Sequence, residues 1–331
     1  MRPEGGSVFE AELRAIESEM RCGLHGWPTA IPNEAREMVE RQIGRRGQKL
    51  RPVFALIVAD LLGVARDRVI AHAAAVELYH CASLVLDDVQ DNSAFRRGDA
   101  SVHVAASVSN AINLAGVVRS FSYYPIHGAT GLSVSEKLSL HLEVDAMSTA
   151  VPLGQSMEIG WHQGWFGEDV TRFPYHEMTR LKTGAPFACA AAGVAVIAGV
   201  EESLRDSLRE LGFTVGVLYQ LVDDYSDLRS ITDRVSDDVR DGKPTRAIQI
   251  LAERADAVTA GRVLRELRDP AADRSWMARA LRDSTVTSCL EGEIERLAGD
   301  VLTGFEGLSL SGSGLDEMSA FVGAWVESAR P

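Results

Sequence analysis

An all-α fold follows from three features of the sequence. Strand patterns are scarce. Segments with 3.6-residue apolar periodicity, roughly ten to twenty-five residues long, succeed one another across short polar breaks. The 331-residue chain is 46% hydrophobic and 24% charged, enough apolar content for a large core. No composition shift or linker divides it, so a single domain over residues 1–331 is expected.

In chain order, the periodicity predicts a first helix over Val8 to Arg21. A loop over Gly23 to Pro32 contains Trp27-Pro28, and a second helix covers Asn33 to Ile43. A short helix runs from about Val53 to Leu62 and a long one from Arg66 to Val89, followed by helices over Val104 to Ile126 and Ser133 to Trp161. Thr183 to Val200 carries no charge and approaches the length of a membrane span, but it is rich in Ala and Gly and contains Pro186. It reads as a helix buried in protein. Asp233 to Arg246, with Gly242-Lys243-Pro244, is charge-dense and reads as a flap, and Ala247 to Pro331 as scaffold, broken by loops at Asp269-Pro270 and Ser309 to Gly314.

The net charge of -13 argues against a nucleic-acid partner. Cys22, Cys81, Cys189 and Cys289 lie far apart with no C-x-x-C pair, which suggests neither a disulfide framework nor a zinc site and fits a reducing cytoplasm. The opening Met1 to Gly6 lacks an apolar signal core.

The chemistry lies in two acidic clusters. Asp87-Asp88-Val89-Gln90-Asp91 ends an apolar helical run, and Asp223-Asp224-Tyr225-Ser226-Asp227 ends another. Carboxylates four apart share a helical face and repel unless compensated. One such cluster is ordinarily a solvated helix end, whereas two in apolar contexts, each followed by basic residues, point to a site. Mg2+ takes one or two carboxylates and completes its shell with water and phosphate oxygens, so two facing clusters would hold magnesium ions and, through them, a diphosphate.

Basic residues supply the complement. Gly44-Arg45-Arg46-Gly47-Gln48-Lys49-Leu50-Arg51-Pro52 is strongly basic within an acidic protein; alone it reads equally as an anion site or a solubilising turn. Phe95-Arg96-Arg97-Gly98 follows the first acid cluster, with His103 beyond; its arginines either bind a diphosphate or balance the nearby aspartates. Lys182-Thr183-Gly184 places an ammonium inside an apolar helix, where it needs an anion. Gln155 and Glu158 put polar groups on another apolar helix.

In order and spacing, Lys49-x-Arg51-Pro52, His80, Asp87-Asp88-x-x-Asp91, Arg96-Arg97-Gly98, Lys182-Thr183-Gly184, Gln220-x-x-Asp223-Asp224-x-x-Asp227 and Gly242-Lys243 resemble the trans-isoprenyl diphosphate synthase (polyprenyl synthetase) family. The resemblance spans roughly residues 44 to 250 and is greatest to geranylgeranyl diphosphate synthases, which Asn92-Ser93 and Ala111-Ile112-Asn113 also resemble. It implies an isoprenoid synthase fold of antiparallel helices around a central active-site cavity, a homodimer, three Mg2+ ions, and two substrates: an allylic prenyl diphosphate and isopentenyl diphosphate.

By that resemblance, Asp87, Asp91 and Asp223 are the principal metal ligands, supported by Asp88 and Asp227. Arg96, Lys182 and Lys243 bind the allylic diphosphate, and His80, Arg97 and Arg51 that of isopentenyl diphosphate. Thr183 and Gln220 face the carbocation left when the diphosphate departs. Ala82 and Ser83, just below Asp87, are too small to stop a fifteen-carbon chain. Tyr79 is then either the tunnel floor, favouring twenty or twenty-five carbons, or a core tyrosine with a bonded hydroxyl.

The family's Gly-Gly-Lys-Arg-x-Arg-Pro stands here as Arg46-Gly47-Gln48-Lys49-Leu50-Arg51-Pro52, so a neutral Gln48 replaces the lysine expected to hold isopentenyl diphosphate. Either Lys49 or Arg46 reaches that phosphate, or the second-substrate site is weakened. Glu158 stands where many relatives have aspartate, and Gly116-Val117-Val118 lacks another acid. Two rivals follow: a class I terpene cyclase that uses a prenyl diphosphate alone, and a non-catalytic regulatory subunit of a synthase.

Overall fold

The computed structural model describes residues 8–45, 47–230, 237–269, 271–308, 310 and 312–329. Met1 to Gly6, Arg46, Asp233 to Ser236, Pro270, Ser309 and Ser311, on which several expectations fell, lie outside the described residues.

The all-α expectation is met. The helices are α1 (Glu10–Glu19), α2 (Asn33–Ile43), α3 (Leu50–Leu61), α4 (Arg66–Gln90), α5 (Val102–Ala105), α6 (Val108–Phe121), α7 (Tyr124–Gly128) and α8 (Val134–His162). They continue as α9 (Tyr175–Thr179), α10 (Ala185–Ala198), α11 (Glu202–Ser230), α12 (Asp237–Asp241), α13 (Arg246–Arg254), α14 (Ala257–Arg268), α15 (Ser275–Ala280), α16 (Ser284–Gly307) and α17 (Leu315–Ser328). Boundaries of α2, α4 and α8 agree with the periodicity to within a residue. The single helix expected over Val104 to Ile126 is instead three. Ser107 caps α6 by accepting from the Asn110 N–H, and Pro125, with no N–H to donate, starts α7 rather than continuing α6.

Among the described residues the strands are β1 (Phe95–Arg96) and β2 (Asp99–Ala100), paired antiparallel. Strands of two residues leave no alternation in the sequence to mark this hairpin. Its turn places Arg97 at φ 56° and Gly98 at φ 86°, the two positive angles a tight two-residue connection requires.

The chain forms two compact units. The first comprises residues 1–148, 186–209 and 310–314, and the second residues 149–185, 210–309 and 315–331. In the first, α4 is the centre, packed against α1, α3 and α6, with residues from Val69 to Val85 buried along most of its length. In the second, α13 packs on α14 and α16, and α17 on α16. Arg66–Gln90 and the continuous helical stretch Tyr175–Ala198 are long and apolar enough to span a membrane, but 72% and 78% of their apolar windows are buried inside the protein, as a core helix requires.

Candidate functional site

Within the first unit, α4 carries the first acid cluster at its C-terminal end. Asp88 is buried and Asp87 and Asp91 are half-buried. The hairpin brings Arg96 back onto the cluster: its Nε donates to Asp88 Oδ1 at 2.7 Å, and its Nη2 lies 2.5 Å from the same oxygen and 3.4 Å from Asp87 Oδ2. Burial works against the charge on Arg96, but the bond to Asp88 and the fields of Asp87 and Asp91 outweigh it and raise its pKa. Arg96 thus balances aspartates here, one of the two roles the sequence left open.

The hairpin and the loop before α3 bring further cations together in this unit. The Arg97 guanidinium lies directly against Gly47. Arg51, buried at the start of α3, stacks on Phe187 at 5.1 Å, and its Nη1 is 3.3 Å from His80 Nε2. Burial, then Arg51, Arg97, Lys49 and Arg96 in that order, push the His80 pKa well below its ordinary value, so the imidazole is neutral at pH 7. Arg51, His80 and Arg97 therefore share one locality. Lys49 behaves differently. It adopts a left-handed conformation and buries its ammonium 3.2 Å from Glu77, a partner sequence reasoning missed, while Gln48 is exposed.

Tyr79 is buried in the same unit, with its hydroxyl donating to the Ser148 carbonyl at 3.4 Å and Arg119 5.8 Å above the ring. Ala82 is buried, and the half-buried Ser83 donates to the His80 carbonyl at 2.9 Å.

In the second unit, α11 repeats the pattern. Asp224 is buried, while Asp223 and Asp227, four apart on one face, are exposed. The Tyr175 hydroxyl and the Gln220 amide donate to opposite oxygens of Asp224, at 2.7 Å and 2.8 Å. Burial, Asp238 and Asp223 push Asp224 up to about 7, against the opposing effect of the two hydrogen bonds. The chain continues from Gln220, whose Oε1 accepts from Thr183 Oγ1 at 2.9 Å. Thr183 and Gln220 are thus bonded to each other; Tyr175 and Asp224, which orient them, carried no signal beyond the acid motif itself.

Lys182 and Thr183 lie in a π-helical turn, Arg180–Gly184. Such widened turns are frequent at functional sites. Its neighbours approach at backbone distance: a Cβ on Gly154 would strike the Lys182 main chain and one on Gly216 would strike Gly184. Lys182 pairs with Glu158, whose other oxygen is 3.8 Å from Lys243, and Lys243 is also 3.2 Å from Asp238. The described part of the expected flap is thus tied down. Val239 is buried, Arg274 donates to the Arg240 carbonyl at 2.6 Å, and Trp161 donates to that of Gly242 at 3.3 Å.

Among the described residues no three acids, histidines or cysteines converge as a self-sufficient metal site. Each cluster instead presents two outer carboxylates on one helix face, the donor set Mg2+ accepts when phosphate and water complete its shell.

The polyprenyl synthetase family matches residues 32–283, and the chain belongs to that family. A short chain isoprenyl diphosphate synthase of Methanothermobacter thermautotrophicus is 33% identical over 220 residues, 65% of this chain and 66% of that relative. The chain thus spans slightly under two thirds of that relative's length. Among solved structures, geranylgeranyl pyrophosphate synthetase from Pyrococcus horikoshii superposes with a TM-score of 0.83 at 22% identity, covering 96% of both chains. A geranylgeranyl pyrophosphate synthase from Corynebacterium glutamicum, complexed with isoprenyl diphosphate and magnesium, gives 0.81 at 20% identity, with 96% of this chain and 98% of that one covered. At these identities the likeness is one of fold.

Proposed function

We propose that the protein is a Mg2+-dependent trans-prenyltransferase that condenses an allylic diphosphate with isopentenyl diphosphate to a prenyl diphosphate of about twenty, or twenty-five, carbons. The observation that carries this reading is the shared construction of the two acid clusters. In each, the middle carboxylate is buried and bonded to protein while the outer pair shares one face of its helix. The family and the name of the Methanothermobacter relative support it.

In this reading Asp87, Asp91 and Asp223, supported by Asp88 and Asp227, would hold Mg2+, three ions by the resemblance, and the metal would supply positive charge for a departing diphosphate. Lys182, Lys243 and Arg96 exchange their internal carboxylates for diphosphate oxygens. Thr183 and Gln220, set by Asp224 and Tyr175, turn oxygens toward the allylic cation, and the apolar lining excludes water. Arg51, His80 and Arg97 hold isopentenyl diphosphate; its double bond attacks the cation, and a proton passes to the released diphosphate. Tyr79 closes the chain-length pocket above which Ala82 and Ser83 leave room. A homodimer is part of the proposal: Val134, Leu138 and Leu142 recur every fourth residue on α8 and are 85%, 61% and 61% exposed, a stripe suited to a second copy.

One observation favours the cyclase reading. Gln48 is neutral and Lys49 is committed to Glu77, so neither residue of that loop pair offers a charge to isopentenyl diphosphate. The test supplies Mg2+ with C5, C10, C15 or C20 allylic diphosphates, with and without isopentenyl diphosphate, and reads products by mass. Longer diphosphates that require both substrates support the synthase. Hydrocarbons or alcohols from the allylic substrate alone establish the cyclase, and no turnover favours the regulatory subunit.

A further inference from the structure

A lysine on a loop binds an anion weakly when the loop must be ordered each time the anion arrives, because that entropy subtracts from affinity. Lys243 follows a glycine in such a segment, and the second unit fixes it from behind. α12 ends in a Schellman turn: the Gly242 N–H bonds the Val239 carbonyl at 3.1 Å and the Lys243 N–H that of Asp238 at 2.9 Å, with Gly242 at φ 70°. The chain leaves this turn with the Lys243 ammonium 3.2 Å from Asp238 and 3.8 Å from Glu158, the partner of Lys182.

A five-residue helix such as α12 has too few internal bonds to persist alone. Its anchor is Arg274, which is 5% exposed. Nη1 donates to the Arg240 carbonyl at 2.6 Å, Nε to that of Glu266 at 3.0 Å, and Nη2 to those of Leu267 at 3.4 Å and Asp269 at 2.9 Å. Glu266, Leu267 and Asp269 close α14, so one guanidinium bridges the C-terminal ends of two helices, where carbonyls lack intrahelical partners and the dipole favours a cation. A planar fork of donors suits four carbonyls at once in a way a lysine ammonium does not. The fit is close: a Cβ on Gly242 would lie 3.0 Å from the Leu267 carbonyl oxygen and 3.1 Å from Arg274 Nη2. Trp161 adds its bond to the Gly242 carbonyl, and Arg268 of α14 stacks on the Trp161 ring at 4.1 Å.

We propose that Arg274 is a positioning residue: by clamping the end of α12 to the end of α14, it holds Lys243 where its ammonium meets an anionic ligand. The inference rests on the reading in which Lys243 binds the allylic diphosphate. It gives a part in substrate binding to a residue in the stretch from Ala247 to Pro331 that the sequence presents as scaffold.

The test compares the full-length wild type with Lys243→Gln, Arg274→Gln and the double variant, by calorimetric titration with inorganic diphosphate in Mg2+ and by KM for each substrate. Arg274→Gln is expected to weaken diphosphate binding about tenfold and to raise KM for the allylic diphosphate to match, with KM for isopentenyl diphosphate moving less than about twofold. The double variant is expected to bind diphosphate no more weakly than Lys243→Gln alone, because Arg274 acts through Lys243. An arginine with a structural role only would lower Tm and leave both affinities unchanged, or would add its loss to that of Lys243→Gln; either result overturns the proposal while leaving the synthase reading intact. If the wild type makes no elongated product, the synthase reading falls and the diphosphate titration alone decides: a loss in Arg274→Gln that does not add to that of Lys243→Gln supports the clamp, and an unchanged affinity, or no diphosphate binding by the wild type, overturns it. Should Arg274→Gln fail to fold, Arg274→Lys, which keeps the charge but not the fork, takes its place: diphosphate binding weakened several-fold supports the clamp and unchanged binding overturns it.

Discussion

Arg96 grips Asp88 with two nitrogens, Nε at 2.7 Å and Nη2 at 2.5 Å, both on Oδ1. This single contact joins the hairpin to the end of α4 and removes the central acid of the first cluster from the set facing outward. The division of labour predicts unequal mutants. Asp87→Asn is expected to lower kcat/KM by about 100-fold or more, since it removes a proposed metal ligand. Asp88→Asn is expected to cost less in rate but to lower Tm, because it strands a part-buried guanidinium at about 1–3 kcal/mol. Steady-state kinetics and thermal melts of the two variants check this; equal rate losses with unchanged Tm for Asp88→Asn contradict it.

Glu158 pairs with Lys182 and lies 3.8 Å from Lys243. A carboxylate that occupies the diphosphate's cations competes with it. Glu158→Gln is therefore expected to tighten inhibition by inorganic diphosphate several-fold, about 1 kcal/mol of removed repulsion. Weaker inhibition by inorganic diphosphate would assign Glu158 a positioning role instead.

Tyr79 is buried and its hydroxyl bonded to Ser148, so its ring is fixed where the growing chain is proposed to end. Tyr79→Ala is expected to shift products toward longer chains, at a stability cost of about 3 kcal/mol for the cavity. Chromatography of the dephosphorylated products reads the outcome. An unchanged distribution makes Tyr79 a core residue only.

Glu293 accepts from Arg246 Nε at 3.0 Å and from His176 Nε2 at 2.9 Å. Burial pushes its pKa up, but these two bonds and their charges hold it at about 2, below its ordinary 4.5. A depressed carboxylate stabilises the fold above pH 4.5, and that contribution disappears as pH falls toward 2. The stability difference between wild type and Glu293→Gln is therefore expected to reach up to ~3 kcal/mol at pH 7 and to shrink below pH 4.5. Denaturant titrations across that range test it; a difference independent of pH contradicts it.

Much of this was legible in the sequence because it depends on local spacing. The helical period set α2, α4 and α8, and the Asp-Asp-x-x-Asp spacing fixed which carboxylates share a face. What escaped depends on tertiary partners. Lys49 looked like a phosphate ligand, and only the fold shows Glu77, from a neighbouring helix, neutralising it. Asp223 and Asp224 look alike in sequence, yet Tyr175 and Gln220 claim the second while the first is exposed. The hairpin was missed because its strands are two residues each, too short for alternation to register, and the π-helical turn at Lys182 has no residue signature of its own.

The most direct measurement incubates the purified protein with Mg2+ and a C15 allylic diphosphate, with and without isopentenyl diphosphate, alongside Asp87→Asn and Asp223→Asn. The account predicts a C20 diphosphate only when both substrates are present, and its loss in either variant. A cyclised or hydrolysed C15 product that forms without isopentenyl diphosphate, or full elongation by both variants, would contradict it.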